Sequence, residues 1–253
     1  MHILILGGTG EARALAERLT GQRLAGQRLT YSLAGRTRAP VLPDCDVRVG
    51  GFGGAGGLAG WIAAEAVRVL VDATHPFARR ISENALTAAR VAGVPLVTLR
   101  RPGWKREAGD RWTGVPDLAA AADALGGVPK RVLLAIGRQE VGAFRAAPGH
   151  RYLVRSIEPP EAGALPDGAE VLLARGPFDE AAERAFLARH GIEVVVTKNS
   201  GGDATYGKIA AARALGIPVV MVERPAGPEA VETVEDALAA IGRHLAGPAE
   251  RGE

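Results

Sequence analysis

Two stretches of this chain have a similar pattern, and residues in and after them match in pairs at an offset of 123. The stretch V-L-V-D-A-T-H-P-F-A at 69–78 predicts a short buried strand, a sharp turn and then a helix, and V-V-V-T-K-N-S-G-G at 194–202 predicts a similar layout. On this register His75 matches Lys198. Because the matches continue downstream, the repeat predicts two related α/β halves. The other matching pairs are Thr74 and Thr197, Arg90 and Arg213, Gly93 and Gly216, Pro95 and Pro218, and Arg101-Pro102 and Arg224-Pro225.

The predicted fold class is α/β, with two Rossmann-like parallel-sheet halves related by this pseudo-duplication. Strand patterns alternate with helix patterns, and a second series of them begins with the strand at 131–136, after the glycine-rich seam at 126–129. We therefore expect one domain at 1–127 and another at 128–253. Ligands of open parallel sheets bind beyond the carboxyl ends of the strands. The active site is accordingly expected in the cleft between the two halves.

Composition limits the classes of function that this sequence can serve. The chain has 253 residues, and its net charge of +3 is too small to indicate a nucleic-acid partner. Its one cysteine, Cys45, excludes an internal disulfide and a cysteine metal cluster, and no metal is expected. No apolar run approaches the ~20 residues of a membrane span, and the N-terminus lacks signal-peptide features. We expect a cytoplasmic protein that does not bind membranes.

A glycine-rich turn follows the first predicted strand. Gly7, Gly8, Thr9 and Gly10 lie between the strand at 3–6 and a helix marked by apolar residues at helical spacing. Glycines let backbone N–H groups approach a phosphate, and a helix N-terminus favours an anion. A full G-x-G-x-x-G pattern would need Gly or Ala at Arg13, however, and Glu11 adds a negative charge that repels a pyrophosphate. The alternative is a plain turn in which Thr9 caps the helix.

The segment after the second predicted strand favours NADP over NAD. An NAD site usually places Asp or Glu there to hold the ribose 2′-hydroxyl, whereas this chain has Arg36, Thr37 and Arg38. These residues suit a 2′-phosphate, although the two arginines can also be solvated loop charges. Further on, residues 50–57 include six glycines and should not hold regular structure. They predict either a mobile loop over the cofactor or a linker without function.

Cationic and small polar residues at predicted strand ends form the candidate substrate site. The run after the strand at 192–196 combines Lys198 with backbone N–H groups in an anion-binding nest. Arginines that follow other strands can anchor further carboxylates. The candidate substrate-binding residues are Arg101, Arg138, Arg175, Lys198, Asn199, Ser200, Gly201 and Gly202.

Three separated motifs resemble those of the precorrin-6A reductase family of cobalamin biosynthesis. They are G-G-T-G-E-A-R at 7–13, D-A-T-H-P-F-A at 72–78 and T-K-N-S-G-G at 197–202, and I-P-V-V-M-V-E-R-P at 217–225 adds to them. The resemblance spans essentially the whole chain. It implies that NADPH reduces one ring double bond of precorrin-6A to give precorrin-6B. It also implies two Rossmann-like halves with the active site between them, and hand-over of a tetrapyrrole to other enzymes of the corrin pathway.

The roles of two candidate catalytic residues stay open at this point. His75 can donate a proton, pack on the nicotinamide ribose, or only structure the loop before Pro76; we favour the cofactor pocket. Lys198 is a better carboxylate anchor than an acid, because its loop is polar and open, and solvent can supply the proton instead. The residues predicted to bind the cofactor are Gly7, Gly8, Thr9, Gly10, Glu11, Arg36, Thr37, Arg38, Thr74, His75, Pro76 and Phe77.

Two other classes of protein share parts of this pattern. A tetrapyrrole methyltransferase that uses S-adenosylmethionine can also have a duplicated α/β scaffold, but its cofactor has no 2′-phosphate for the arginines near Arg36 to bind. A non-catalytic NADP sensor can share the N-terminal half, but it has no need of the second loop at Thr197. Both features favour the reductase.

Overall fold

The structure is a computed structural model that describes residues 1–22, 27–35 and 40–246. Strands and helices alternate in it, as the α/β class requires. Short 3₁₀ helices cover Val141–Ala146, Ala162–Ala164 and Asp203–Thr205. In chain order the strands and α-helices are β1 (His2–Leu6), α1 (Gly10–Gly21), β2 (Arg28–Leu33), β3 (Asp46–Val49), α2 (Gly54–Ala64), β4 (Val67–Asp72), α3 (Arg79–Ala92), β5 (Leu96–Thr98), β6 (Trp112–Val115), α4 (Leu118–Asp123), β7 (Arg131–Ala135), β8 (Arg151–Ser156), β9 (Glu170–Leu173), α5 (Glu180–Arg189), β10 (Val194–Lys198), α6 (Gly207–Ala214), β11 (Val219–Val222) and α7 (Val234–Ala246).

The strands form two parallel sheets with one shared topology. The first has the order β3-β2-β1-β4-β5, and the second has the order β6-β11-β10-β7-β8-β9. When β7 to β11 are matched with β1 to β5, the second sheet repeats the order of the first and adds β6 beside β11. The two Rossmann-like parallel sheets are thus confirmed, and their shared strand order supports the predicted pseudo-duplication. In both, the chain reverses its direction of winding next to the first strand, where ligands of such sheets bind.

The strand registers correct one part of the predicted repeat. The offset of 123 residues holds at the end of the third helix, because Gly93 and Gly216 follow α3 and α6 with φ of +67° and +66°. Between β4 and β10 the offset is larger: Asp72 pairs with Thr98 of β5, and Thr197 pairs with Met221 of β11. Since Met221 lies 123 residues after Thr98, Thr197 corresponds to Asp72, which it follows by 125 residues.

Lys198 therefore corresponds to Ala73, and its predicted match with His75 is wrong. The predicted match of Thr197 with Thr74 is wrong for the same reason. Hydrogen-bonded strand registers set these positions, and the second half has two residues fewer between its strand and the end of the following helix.

The two compact units exchange one segment of the repeat. Val115 of β6 pairs with Val222 in the second sheet, and Val231 makes the corresponding bridge to Leu99 in the first. Two residues later Asp117 caps α4 and Thr233 caps α7, each accepting from the N–H three positions on. The first unit is consequently Met1–Arg101 with the chain from Ala226 on, and the second is Pro102–Pro225. These units differ from the predicted division after residue 127, because β6 and α4 follow the first half in sequence but belong to the second unit.

Part of the glycine-rich run at 50–57 is helical. Residues 54–57 are the first turn of α2, so the prediction of a run without regular structure is wrong there. A Cβ at Gly57 would lie 1.7 Å from the carbonyl oxygen of Phe52. Glycine therefore serves a close backbone approach at this helix start, which composition alone does not distinguish from a flexible loop.

Both faces of the first sheet are buried, which explains its continuous apolar strands. Ile3, Ile5 and Val71 pack on one face with α1 and α7, and Leu4 and Leu70 pack on the other with α2 and α3. In the second sheet Leu133, Val195 and Met221 pack against α5 and α6. Among the helices of residues 1–22, 27–35 and 40–246, none has the length and apolarity to cross a membrane.

Candidate active site

The turn between β1 and α1 closes over the buried ring of Tyr31. A Cβ at Gly7 would lie 2.3 Å from Cζ of Tyr31, so only glycine lets the backbone pass so close. The Tyr31 hydroxyl accepts a hydrogen bond from the Gly8 N–H at 3.0 Å. Burial raises the pKa of the Tyr31 hydroxyl, so it stays protonated at neutral pH. A side chain of β2 therefore holds the glycine turn in one shape.

Thr9 caps α1 and ties the turn to the end of β4. Its Oγ1 atom accepts from the Ala12 N–H at 3.1 Å and donates to the Ala73 carbonyl at 2.9 Å. The first turn of α1, with Gly10 and Glu11, has N–H groups that lack acceptors within the helix. Such groups, together with the helix dipole, favour an anion. The predicted capping role of Thr9 and an anion site at the turn are thus compatible.

Glu11 forms an ion pair with Arg101 in the first unit. The Nη1 atom of Arg101 lies 2.7 Å from Oε2 of Glu11, and the two side chains are 16% and 28% exposed. Sequence reasoning assigned Glu11 to the cofactor and Arg101 to the substrate. Their contact places both beside the glycine turn, where the arginine offsets the negative charge of the first helical turn.

The turn after β4 is organised by a buried carboxylate and by His75. Asp72 is 2% exposed, and its Oδ1 accepts from the Thr74 N–H at 3.1 Å and from the Thr74 hydroxyl at 2.6 Å. The Nδ1 atom of His75 accepts from the Phe77 N–H at 3.2 Å. In a neutral ring the proton is then on Nε2, which can donate a hydrogen bond. Pro76 is buried, while His75 and Phe77 are half-buried.

His75 therefore structures its loop, as one of its predicted roles requires. The catalytic and pocket roles of His75 stay predictions. Asp72 was not singled out from the sequence. A buried strand that ends in Asp and is followed two residues later by Thr is the signal that could have identified it.

The predicted 2′-phosphate site falls outside the described residues. Arg36, Thr37 and Arg38 belong to the range 36–39, which the structure does not describe. The preceding residue, Gly35, has φ of +74° and follows the carboxyl end of β2. The position of these residues in the sequence therefore remains the whole basis for the predicted preference for NADP.

Lys198 is a buried residue of β10 that forms an ion pair with Glu140. The residue is 7% exposed, and its Nζ atom contacts Oε2 of Glu140. The expectation that Lys198 lies in a polar, open loop is therefore wrong, since strand pairing continues through this position. Glu140 was not predicted as a site residue, although a Gly-x-x-Glu pattern follows the first strand of each half. On the strand register Glu140 corresponds to Glu11, and Gly137 to Gly8, both glycines having positive φ.

The predicted anion nest packs against the segment at 102–104. Oδ1 of Asn199 accepts from the Trp104 N–H at 2.8 Å, and Nδ2 donates to the Trp104 carbonyl at 3.2 Å. Trp104 Nε1 donates to the Gly202 carbonyl at 2.9 Å, and a Cβ at Gly201 would collide with the Pro102 carbonyl. The Ser200 N–H donates to the Lys198 carbonyl at 2.7 Å. Most of this loop therefore supports its own unit.

Two predicted arginine anchors lie at carboxyl strand ends of the second sheet. Arg138 follows β7, is about one-third exposed and lies 3.4 Å from Glu158. Arg175 follows β9 and is exposed. The described contacts do not join the two arginines. A third arginine, Arg155 of β8, was not predicted; it is buried in a bidentate pair with Glu183 at 2.5 and 2.8 Å.

Comparison with known proteins assigns this arrangement to a family. The family model Precorrin-6x reductase CbiJ/CobK matches residues 2–242. Proteins called Precorrin-6A reductase from Rhodococcus erythropolis and Sinorhizobium sp are 54% and 53% identical, covering 95% and 97% of this chain and 96% and 94% of theirs. A Cobalt-precorrin-6A reductase from Salmonella typhimurium is 29% identical, covering 88% of this chain and 87% of its own. The solved structure of a CobK precorrin-6A reductase is 45% identical, has a TM-score of 0.90 and covers 100% of both chains. The chain therefore belongs to the precorrin-6x reductase CbiJ/CobK family and is an oxidoreductase.

Proposed function

We propose that this enzyme uses NADPH to reduce one ring double bond of precorrin-6A, giving precorrin-6B. The observation that carries the cofactor part is the juxtaposition of the glycine turn with the Thr74–Phe77 turn at the carboxyl ends of β1 and β4. Thr9 joins the two by its hydrogen bond to Ala73. This edge is the switch point of a sheet ordered 3-2-1-4-5, where dinucleotides bind in folds of this kind.

The chain's own residues fit a dinucleotide at this edge. The Gly7 and Gly8 N–H groups donate to the Ser32 carbonyl and to the Tyr31 hydroxyl, so these glycines shape the turn. The N–H groups offered to a phosphate are those of the first turn of α1, at the positive end of its helix dipole. When bound, the reduced nicotinamide supplies a hydride. We assign His75 to the nicotinamide half of the pocket, because its Nε2 can donate while Nδ1 is held by Phe77. The proton that completes the reduction comes from solvent.

The substrate part of the proposal rests on charge and on the names of relatives. Precorrin-6A is a polycarboxylate, and Arg138 and Arg175 are cations at strand ends of the second sheet. Lys198 is already paired with Glu140, so we assign it to positioning of the loop that carries Ser200. A metal-free substrate is proposed because the relatives that share about half of their residues are called Precorrin-6A reductases, whereas the name with cobalt belongs to the more distant relative.

An activity assay tests the proposal directly. Purified enzyme is mixed with precorrin-6A and either NADPH or NADH, and nicotinamide absorbance is followed together with the product mass. We expect oxidation of NADPH with the gain of one hydride and one proton by the tetrapyrrole. Binding of NADPH without turnover would support a sensor instead, and methyl transfer from S-adenosylmethionine would support a methyltransferase. The cytoplasmic location and hand-over to pathway enzymes remain predictions.

Arg36→Ala tests the choice between the two cofactors. We expect it to weaken NADPH binding by roughly 1.5–3 kcal/mol, the range for a hydrogen bond to a charged group, and to leave NADH binding unchanged. Arg68→Ala is the matched control, because this exposed arginine is near the amino end of β4, away from the carboxyl edge. Equal losses for NADPH and NADH would mean that Arg36 does not reach the 2′-phosphate.

His75→Asn separates the roles of the two ring nitrogens. Asparagine can keep an acceptor for the Phe77 N–H while removing the Nε2 donor. For a pocket role we expect a raised KM for NADPH with turnover nearly unchanged. For a general acid, turnover should fall by about 10²–10⁴ with NADPH binding intact. This second result would refute the assignment made above.

A further inference from the structure

The first turn of α1 contains a carboxylate at the place proposed for the cofactor's pyrophosphate. Glu11 is the second residue of the helix, directly after the glycine turn. A carboxylate there interacts favourably with the helix N-terminus and repels a phosphate that uses the same N–H groups. We propose that Arg101 is a positioning residue for cofactor binding, which neutralises Glu11 and draws its carboxylate away from the pyrophosphate site. Because its ligand is a dinucleotide, this inference rests on the proposed function.

The geometry of the pair supports a compensating role. Nη1 of Arg101 lies 2.7 Å from Oε2 of Glu11, and the arginine is the more buried partner, at 16% exposure against 28%. Partial burial reduces screening by solvent, so the pair is stronger than a fully exposed one. The carboxylate has a charged partner before any ligand binds, and the phosphate then meets a neutral pair in place of a bare negative charge.

The backbone before Arg101 is fixed by the exchanged C-terminal segment. The Arg100 N–H donates to the Val231 carbonyl at 2.9 Å, and the Leu99 N–H donates to the Asp72 carbonyl at 2.9 Å. These bonds connect the end of β5 to the end of β4 and to the segment that leads into α7. Arg101 therefore extends from a rigid strand end towards the turn after β1.

In the second unit the corresponding glutamate also forms an ion pair, but with a lysine at a different strand end. Glu140 corresponds to Glu11 on the strand register, and it pairs with Lys198. Lys198 ends the strand that matches β4, whereas Arg101 follows β5, so the two cations do not correspond in the repeat. The same glutamate position is thus neutralised in both units from different strand ends, which indicates that the carboxylate is not left alone at either first-strand turn.

A direct substrate contact is the competing role for Arg101, and it was the prediction from sequence. The two roles differ in what Glu11 does. If Arg101 binds the tetrapyrrole, its loss should weaken substrate and leave NADPH binding unchanged. If Arg101 compensates Glu11, its loss should weaken NADPH, and removal of the Glu11 charge should restore binding.

The experiment measures the Kd of NADPH by titration calorimetry for the wild type and a set of variants. They are Arg101→Gln, Glu11→Gln, the double variant and Arg101→Lys. The control is Arg18→Gln, which changes an exposed arginine of α1, the helix that contains Glu11. We expect Arg101→Gln to weaken NADPH by about tenfold or more, since a unit charge a few ångströms away acts at least this strongly near a protein surface. High salt should reduce the loss.

The other variants test whether the unpaired negative charge of Glu11 causes the loss of NADPH affinity in Arg101→Gln. Glu11→Gln should bind NADPH at least as tightly as the wild type, and the double variant should return to within about threefold of it, because neither places a bare carboxylate beside the phosphate. Arg101→Lys should keep most of the affinity, and it serves as the readout if Arg101→Gln does not fold. The control should not change Kd.

Three results would overturn the inference. A double variant as weak as Arg101→Gln would mean that Arg101 contacts the cofactor itself. Unchanged NADPH affinity in Arg101→Gln with weaker precorrin-6A binding would return Arg101 to the substrate. If the wild type binds neither NADPH nor NADH, both the proposed cofactor and this inference are wrong. The first two results, by contrast, would contradict only this inference and leave the proposed function intact.

Discussion

We expect the main effect of Asn199→Ala to be a loss of stability of the second unit, and not a loss of ligand binding. The Asn199 side chain was predicted to bind substrate, but its Oδ1 and Nδ2 atoms are used by the Trp104 N–H at 2.8 Å and the Trp104 carbonyl at 3.2 Å. The residue is 8% exposed, so water cannot readily replace either contact. Asn199→Ala would leave both the N–H and the carbonyl of Trp104 without these hydrogen bonds.

The expected loss follows from the two bonds. A buried N–H without an acceptor costs about 1–3 kcal/mol, and the longer bond adds the ~0.5–1.5 kcal/mol typical of a neutral hydrogen bond. We therefore expect the free energy of unfolding of the second unit to fall by about 1.5–4.5 kcal/mol. The Arg224 contact to the Asn199 carbonyl involves only the backbone of residue 199 and should persist.

Urea unfolding followed by tryptophan fluorescence measures this loss. Trp104 and Trp112 report on the second unit, and replacement of Trp61 by Phe removes the signal of the first. Ser200→Ala is the control, because the contact of its Oγ atom to the Lys198 carbonyl is long, at 3.4 Å; its effect should stay within about 0.5 kcal/mol. Wild-type stability in Asn199→Ala combined with weaker precorrin-6A binding would refute the reasoning and restore the predicted nest.

Two further predictions concern the stability of the second unit. Glu183→Gln should lower its free energy of unfolding by about 3–5 kcal/mol, because it leaves the buried Arg155 charge without its partner; Glu170→Gln, at an exposed carboxylate, is the control, and similar losses in both would contradict this. Burial raises the pKa of the Tyr152 hydroxyl to about 12, above its ordinary value of 10.0. The stability that protonated Tyr152 contributes should be complete below pH 10 and be lost as pH rises through about 12, so Tyr152→Phe should show a smaller alkaline decline in urea titrations.

Local features of the fold could be predicted from the sequence, because they depend on neighbouring residues. The strand, glycine turn and helix at 2–21 and the helix end at Gly93 each have a local pattern. The register of β10 could not be predicted, because a difference of two residues between this strand and the end of the following helix leaves the helix pattern unchanged and moves Lys198 out of line with His75. Interstrand hydrogen bonds fix such a register, and they join distant residues.

The candidate site shows the same division between local and distant effects. Its glycines and Thr9 could be placed from the sequence, since their roles arise within one turn. The partner of Glu11 could not be predicted, because Arg101 is 90 residues away in the sequence and the order of the strands brings the two together. Asn199 was assigned to substrate for a similar reason: its amide suits an anion nest, and only the fold shows that Trp104 already uses it.

The exchanged segment has a consequence for synthesis on the ribosome. A chain usually completes its N-terminal domain first, but here the outer edge of β5 meets its bridge partner only when Val231 has been made. Helix α7, which buries Ala237 and Ile241 against the first sheet, emerges later still. The second unit is contiguous from Pro102 to Pro225 and can close earlier. The nascent first sheet would therefore present an open strand edge while the whole second unit is made, and a chaperone that shields such edges should engage this chain before α7 leaves the tunnel.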